Sequence, residues 1–270
     1  MSPLWRDELG VWLAPRELTI KHMRRGLRPV CIASMARELE GNGSDWRAAL
    51  AALDAAVGGA EWRGAGARVV VSNVWARYGV VPWSDHLANE AERAAHARIC
   101  LAETYGDLGA EWRVCLSEAS PGESRVACAL PEGLVTGLRV MLESHRIRLL
   151  SIQPSLIAAY NQWRQRLPEH TGWFVSIETG SLAAARLTPG GWDRVYAARI
   201  GDDWARELLR LKTFARMASQ DAGNGRVFVD APAHLRKLAG PCDAAIEWLE
   251  GPEAPTPQRV ERPRPVGVQT

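Results

Sequence analysis

The chain has 270 residues, of which 47% are apolar and 24% charged, and a formal net charge of +2. This composition is typical of a globular protein with a real core and excludes disorder of the whole chain. So small a net charge gives no reason to expect nucleic acid or an anionic membrane as a partner. The basic cluster Arg24, Arg25 and Arg28 is most simply interpreted as a solvated turn. The oligomeric state is left unknown.

Targeting signals and cysteine usage bear on the compartment. Residues 1–10 lack the basic and then apolar order of a signal peptide. No run of about 18 apolar residues occurs, so direct membrane insertion is not expected. The five cysteines form no C-x-x-C pair and have no histidines at zinc spacing, which predicts free, buried thiols, no metal site and a cytoplasmic location.

The first third of the chain predicts three strands and then a helix. Leu9–Leu13, Leu18–His22 and Pro29–Ser34 are short apolar runs joined by tight turns, which predicts an antiparallel meander. Apolar residues at helical spacing from Trp46 to Val57 then predict a helix, with Ser44 as its N-cap.

The middle of the chain predicts strands alternating with helices. We expect strands at 68–72, 75–81 and 147–152, a hairpin at 112–116 and 125–130, and helices at 85–104, from 131, and at 154–167. The pattern then restarts after residue 168. We expect strands at 173–177, 183–187, 192–200, 226–230 and 244–249, a helix capped by Asp202 or Asp203, and a short helix at 232–238.

This order of elements predicts the fold class. Strands alternating with helices indicate a mixed, mostly parallel sheet in each half of the chain. Two such halves in tandem match the two-lobed α/β architecture shared by actin, the sugar kinases and Hsp70. We therefore expect an N-terminal lobe over 1–167 and a C-terminal lobe over 168–250. Residues 251–270 contain five prolines and predict a disordered tail, either plainly solvated or used as a docking peptide.

Catalytic motifs are missing from the sequence. It contains no G-x-x-x-x-G-K-[ST], G-x-G-x-x-G, G-x-S-x-G or H-E-x-x-H pattern, and no catalytic residue is assigned. In an actin-like fold, phosphate would be held at the first strand turn of each half. Leu9–Glu17 has no Asp-x-Gly there, and Pro15 removes one N–H donor.

The second half offers a better phosphate turn. Glu178, Gly180 and Ser181 could hold an anion at a turn, with Glu178 in place of the usual aspartate, although Glu-Thr-Gly-Ser is also an ordinary hairpin sequence. The glycine pair expected at the adenosine side is replaced by Asp230-Ala-Pro-Ala-His234. One half-matched site favours a protein without a nucleotide cofactor.

An ordered set of short strings resembles the actin-like assembly proteins of type IV pilus and type II secretion systems, namely PilM and the cytoplasmic part of GspL. The set spans roughly residues 45–200. It comprises Val71–Tyr78, Val81–Trp83, an Ala-rich helix ending at Tyr105-Gly106, Ser151–Leu156 with Asn161 and Arg164, Trp173–Glu178, and Gly190–Trp192.

The resemblance implies an actin-like fold and a role in pilus or secretion assembly at the cytoplasmic face of the inner membrane. PilM-like members bind nucleotide between the lobes and grip a peptide from a membrane-anchored partner. GspL-like members do not retain nucleotide, and their chain continues into a membrane span. This chain lacks the PilM phosphate motifs and ends in a Pro-rich tail. No partner-contact residue carries over, because no motif of that groove is matched.

Three hypotheses follow. The first is a non-catalytic scaffold with no cofactor, which recruits an inner-membrane assembly protein and is peripheral to the membrane through it. The second is a switch or small-molecule kinase that binds Mg-ATP through Glu178, Gly180 and Ser181. The third is an adaptor that works through its Pro-rich tail.

Overall fold

The computed structural model describes residues 7–24, 26, 30–40, 45–87, 89–167, 172–189, 191–201, 204–218, 226–238 and 246–250. The strands are β1 (Glu8–Ala14), β2 (Glu17–Arg24), β3 (Val30–Glu38), β4 (Gly66–Val71), β5 (Arg77–Val81), β6 (Trp112–Leu116), β7 (Arg125–Pro131), β8 (Arg148–Pro154), β9 (Gly172–Glu178), β10 (Ser181–Thr188), β11 (Gly191–Arg199), β12 (Val227–Asp230) and β13 (Ile246–Trp248). The α-helices are α1 (Trp46–Ala56), α2 (Glu90–Tyr105), α3 (Glu132–Ser144), α4 (Ser155–Trp163), α5 (Trp204–Ala218) and α6 (Ala233–Leu238). Short 3₁₀ turns lie at Ala60–Trp62 and Asn73–Trp75.

These strands form three sheets. The first sheet has the order β3-β2-β1-β4-β8, in which β1, β2 and β3 are antiparallel neighbours while β4 runs parallel to both β1 and β8. A small antiparallel sheet has the order β5-β7-β6. The second sheet has the order β11-β10-β9-β12-β13, again with three antiparallel strands followed by parallel ones. We call the first and small sheets with their helices the first lobe, and the second sheet with its helices the second lobe.

The predicted meander and hairpin are confirmed, and so is a mixed sheet in each half. The sheets are not mostly parallel, because each five-stranded sheet has two antiparallel and two parallel pairings and the small sheet is antiparallel. Helices α1 and α3 pack side by side in the first lobe. Gly133 and Gly137 of α3 face Trp46 and Leu50 of α1, and a Cβ added at either glycine would lie within 3 Å of those side chains. The absence of a side chain at these two positions therefore sets how closely the two helices approach.

One apolar core joins the two lobes. It contains strand residues of the first sheet together with Phe174, Trp192 and Phe228 of the second lobe. Helix α4 lies between the sheets, and the ring of its Tyr160 makes edge contacts with Phe174 and Trp192 at 5.8 and 5.0 Å between centroids. A second core covers the other face of the second sheet, where α5 packs against β9 and β12.

Several helix boundaries differ from the prediction. Helix α1 is capped by Asp45, whose carboxylate accepts from the amide of Arg47. The predicted cap, Ser44, lies outside the described residues. Helix α2 begins only after Asn89, which caps it, because Asp85 belongs to a local turn in which it accepts from the indole of Trp83. Helix α4 ends at Trp163, short of the predicted residue 167. Asp202, Asp203 and the tail after residue 250 lie outside the described residues.

The prediction of uniformly buried thiols is wrong in part. Cys128 is buried, Cys100 and Cys115 are half-buried, and Cys31 is exposed because β3 is an edge strand. All four are free. Among the helices in the described part of the chain, none combines the length and apolar character that crossing a membrane requires.

Candidate functional site at the junction of the lobes

The candidate site lies where β4 and β8 end and meet the end of β9. Ser72 directly follows β4, Ser155 opens α4 directly after β8, and Glu178 is the last residue of β9. In sheets with parallel strands, ligands bind at the edge formed by the carboxyl ends of the strands. This junction is therefore where an actin-like fold would be expected to hold a ligand.

The alternation of β9 directs Glu178 toward the first lobe. Trp173, Val175 and Ile177 belong to the core shared with α5, whereas Phe174 belongs to the core shared with the first lobe. Successive side chains of a strand point to opposite faces, so Glu178 shares the face of Phe174. All seven residues of β9 are buried, so this carboxyl group is shielded from bulk water.

The Glu178 carboxyl is hydrogen-bonded across the lobes. Its Oε1 accepts from the hydroxyl of Ser72 at 2.7 Å and from the backbone amide of Asn73. The same Ser72 hydroxyl accepts from the amide of Val74 at 3.1 Å. The carboxyl thus binds at the start of the 3₁₀ turn 73–75, where backbone N–H groups have no partner within the turn.

Two opposing effects set the protonation of this carboxyl. Burial raises the pKa of Glu178 to about 7, while hydrogen bonds from Ser72 and the Asn73 amide, with further contributions from Ser155 and Val74, act to lower it. Its Oε2 has no hydrogen-bond partner among the described residues. Near neutral pH the group therefore exists in both protonated and ionised forms.

Asn73 connects two further elements, β5 and α4, to the same junction. Its Oδ1 accepts from the hydroxyl of Tyr78 on β5 and from the amide of Leu156 at 2.9 Å. The second bond satisfies an N–H in the first turn of α4, which has no side-chain cap of its own. Burial is the main reason that the pKa of Tyr78 lies well above its ordinary value, so its hydroxyl remains a donor.

A second bond between the lobes involves Asp230 at the end of β12. Its Oδ1 accepts from the indole Nε1 of Trp163, the last residue of α4, at 3.0 Å. Burial raises the pKa of Asp230, and the indole acts in the opposite direction. The stretch expected at the adenosine side thus carries a carboxyl that is bonded to α4.

The structure keeps the three residues of the predicted phosphate turn together. Glu178 and Ser181 are paired in register and buried, and Gly180 lies in the turn between them. Gly180 has φ +87°, and a Cβ added there would meet nothing within 4 Å. The glycine is thus required by the backbone conformation of the turn and not by a close neighbour. That these residues bind nucleotide stays a prediction.

The corresponding turn of the first half is a tight connection between β1 and β2. Ala14 pairs with Glu17, leaving Pro15 and Arg16 to make the turn. Pro15 is buried and offers no N–H.

Ser72, Asn73 and Tyr78 received no role from the sequence, although they lie in one of the strings that carry the resemblance. The signal that could have found them is a polar pair directly after a buried strand, at the edge where ligands bind. The described residues contain no cluster of three or more His, Cys, Asp or Glu that could hold a metal ion.

No protein-family profile matches the sequence, and no curated protein does. Solved structures do resemble it. The PilM-PilN type IV pilus biogenesis complex matches with a TM-score of 0.60 and 15% identity over 90% of this chain and 88% of that one. The cytoplasmic domain of EpsL, an inner membrane component of the type II secretion system of Vibrio cholerae, matches with a TM-score of 0.55 and 10% identity over 84% and 82%.

A third similar structure is a Bacteroides thetaiotaomicron protein described as having an actin-like ATPase fold and unknown function. It matches with a TM-score of 0.60 and 10% identity over 92% of this chain and 94% of that one. Likeness at such low identity establishes architecture and nothing finer. The predicted fold class is thereby confirmed: this chain has the two-lobed actin-like fold.

Proposed function

We propose that this protein is a non-catalytic scaffold of a type IV pilus-like or type II secretion-like assembly system, working at the cytoplasmic face of the inner membrane. In this role it recruits a membrane-anchored assembly partner and binds no nucleotide. Two of the similar structures support the setting, since one is a type IV pilus biogenesis complex and the other a cytoplasmic domain of a secretion component. The likeness in each case extends over more than four-fifths of this chain.

The observation that carries the scaffold role is the hydrogen bonding of Glu178. A nucleotide site of the predicted kind needs this carboxyl ionised and directed at a magnesium-bound water. Here Oε1 already accepts two hydrogen bonds from the first lobe, and burial raises the pKa to about 7. Directing Oε1 at a magnesium-bound water would require breaking these bonds, and the protonated fraction of the carboxyl would have to ionise. The carboxyl itself bridges the lobes where a nucleotide would otherwise do so.

Titration calorimetry of the purified protein with Mg-ATP, supported by a thermal shift, tests the proposal. We expect no heat of binding and no shift at millimolar nucleotide. A ligand present at about 100 times its dissociation constant adds about 2.7 kcal/mol to stability, so even moderate binding would be visible. Clear binding would overturn the nucleotide-free scaffold and favour the switch or kinase.

Should binding occur, paired variants locate it. Ser181→Ala removes a hydroxyl from the predicted phosphate turn, and Ser144→Ala removes one that donates to the Met141 carbonyl within α3. Loss of affinity in the first variant alone would place the nucleotide at the Glu178–Ser181 turn. Equal affinity in both would exclude that turn.

The partner is tested separately, by a two-hybrid assay against the cytoplasmic segment of any membrane-anchored protein encoded beside this gene. We expect an interaction that survives removal of residues 251–270, since the scaffold role does not need the tail. An interaction lost on that truncation would favour the adaptor hypothesis instead.

A further inference from the structure

Strand β3 is an exposed edge of the first sheet. All nine of its residues are exposed, including Val30, Ile32 and Met35 at 56%, 39% and 40%. An edge strand offers a row of unpaired N–H and C=O groups, which natural proteins usually protect with charges, prolines, bulges or short length. β3 has a bulge near Ile32, but its regular part from Ala33 onward is uncharged as far as Ala36 and contains no proline. Within the described ranges no strand pairs with this edge, which is therefore open to another strand.

The hairpin that carries this edge is strongly basic. From Leu18 to Arg37 the sequence has no acidic residue, so the rest of a chain of net charge +2 is acidic on balance. The five basic residues of the hairpin are Lys21, Arg24, Arg25, Arg28 and Arg37. Among these, Arg24 and Arg37 are exposed in the described part of the chain.

The charge is graded along the edge. At one end, Arg24 pairs with Val30 in register, and Arg25 and Arg28 follow in the connecting sequence. At the other end, Glu17 lies directly opposite Glu38. Arg16 and Arg37 neighbour these two carboxylates in sequence, so this end carries no net charge, whereas the end beside Val30 is basic. The edge therefore fits a segment that is acidic where it lies beside Val30.

We propose that the β3 edge binds an extended, acidic segment of a partner protein by strand addition. Backbone hydrogen bonds along Ala33–Glu38 supply affinity, and the acidic side chains of the segment lie toward Arg24. The inference rests on the proposed scaffold function, which it deepens by naming the surface and the chemical class of the partner segment. It places partner recognition on the outer edge of the first sheet, remote from Glu178.

Two other occupants fit the same surface less well. An anionic membrane would attract the basic hairpin but offers no partner to the edge N–H and C=O groups. A second copy paired parallel would bring one basic end against another, and like charges across paired strands are destabilising. Paired antiparallel, it would bring Arg37 together with Glu38 to the basic end, and so offers no net negative charge there. A protein segment supplies both the missing hydrogen bonds and the opposite charge.

Selection of a displayed library of random peptides against the full chain tests the proposal. We expect the selected peptides to be acidic at one end and to alternate β-branched with polar residues. Hydrogen exchange with a selected peptide bound should then show protection of the β3 amides. Selected peptides without acidic residues, or protection confined to other elements, would overturn the proposal.

Matched variants separate the two components of binding. Arg24→Glu should weaken the binding of a selected peptide about tenfold, which corresponds to about 1.4 kcal/mol. Arg16→Glu, in the turn between β1 and β2 at the other end of the edge, should not weaken it. Met35→Lys places a charge on the edge and should weaken the peptide to a similar extent. Val140→Lys is its control, because Val140 is 60% exposed on α3. Equal effects of a variant and its control would count against this surface.

The other occupants have their own assays. Binding to phosphatidylcholine vesicles with and without phosphatidylglycerol tests for a membrane, and sedimentation of the protein tests for a dimer. If no acidic peptide is selected and Met35→Lys abolishes vesicle binding or dimer formation, that occupant replaces the proposed one. The Mg-ATP titration keeps the two failures apart. Nucleotide binding would overturn the nucleotide-free scaffold but would not bear on the β3 proposal. Failure of the peptide selection would overturn the β3 proposal but would not bear on the scaffold.

Discussion

Strands β9 and β3 belong to sheets of the same size and have opposite surroundings. β9 is the central strand of the second sheet, and all seven of its residues are buried. β3 is an edge strand of the first sheet, and all nine of its residues are exposed. The buried strand β9 ends in the Glu178 carboxyl, which is hydrogen-bonded to the first lobe. The side chains of the edge strand β3 are exposed along its whole length.

Because of this difference, substitutions at the end of β9 should change the stability of the fold, whereas substitutions on β3 should change binding. A polar group at the end of β9 is held by several partners in a dry environment, so altering it changes the free energy of unfolding. A side chain on β3 has few intramolecular partners to lose, so altering it should change binding and leave folding intact. Four predictions test this separation, from the largest expected effect on stability to the smallest.

Asn73→Ala should destabilise the protein by about 4 kcal/mol, because it leaves the buried Tyr78 hydroxyl and Leu156 amide without an acceptor. Chemical denaturation measures the change. Asn73→Asp is the matched variant, since it keeps an acceptor and adds a charge beside Glu178. If both substitutions had the same small effect, the Asn73 acceptor would contribute little to holding Tyr78 and Leu156 in the folded protein.

Glu178→Gln should change how stability depends on pH. The folded protein binds a proton at Glu178 up to about pH 7, whereas the unfolded chain releases it near its ordinary pKa of 4.5. Between these values the folded state holds more protons, so the stability of the parent protein falls as pH rises.

The difference amounts to about 3 kcal/mol between pH 4 and pH 8, at 1.36 kcal/mol per pKa unit. Glutamine stays neutral and should lose this part of the pH dependence. Denaturation curves at several pH values give the comparison. Parallel pH profiles for the two proteins would show that the carboxyl titrates in the same way folded and unfolded.

Trp163→Phe should cost about 1.5 kcal/mol, because it removes the indole donor from Asp230 while keeping an aromatic ring in the core. It should also raise the pKa of Asp230 further, since the indole favours the ionised carboxyl. The added loss of stability should therefore be larger at pH 8 than at pH 4. A loss independent of pH would assign the effect to packing alone.

Met35→Ala should change stability by less than about 0.5 kcal/mol, as expected of a surface substitution. Thermal unfolding measures it beside Leu53→Ala, which removes a fully buried side chain and should cost about 3 kcal/mol. A large loss at Met35 would mean that β3 supports the fold and is no free edge.

The architecture was readable from the sequence because its signals are local. Apolar runs such as Arg68–Ser72 and Trp173–Ile177, with glycine and proline between them, marked nearly every strand in the right order. Helix starts are harder to predict, since serine and aspartate are about equally good caps and stand next to each other at 44 and 45. The exposure of Cys31 likewise could not be predicted from the sequence, because an edge strand and a central strand can have the same apolar composition.

The junction could be predicted only in outline. Glu178 lies at a strand turn, as the sequence predicts, but its partner Ser72 lies 106 residues away in sequence. Which of two lobes a carboxyl contacts depends on how the sheets pack, and no local pattern encodes that. The same holds for Trp163 and Asp230, which are 67 residues apart.

The apolar core shared by the two lobes has a mechanical consequence. Domains that close around a ligand commonly rotate about a hinge, and here a rotation of one lobe against the other would pull Tyr160 away from Phe174 and Trp192. Water would enter where three aromatic rings now touch, at about 25 cal/mol for each Å² exposed. The two lobes should therefore unfold together and move as one rigid body. A partner bound to one lobe would then displace the whole molecule without changing the angle between the lobes.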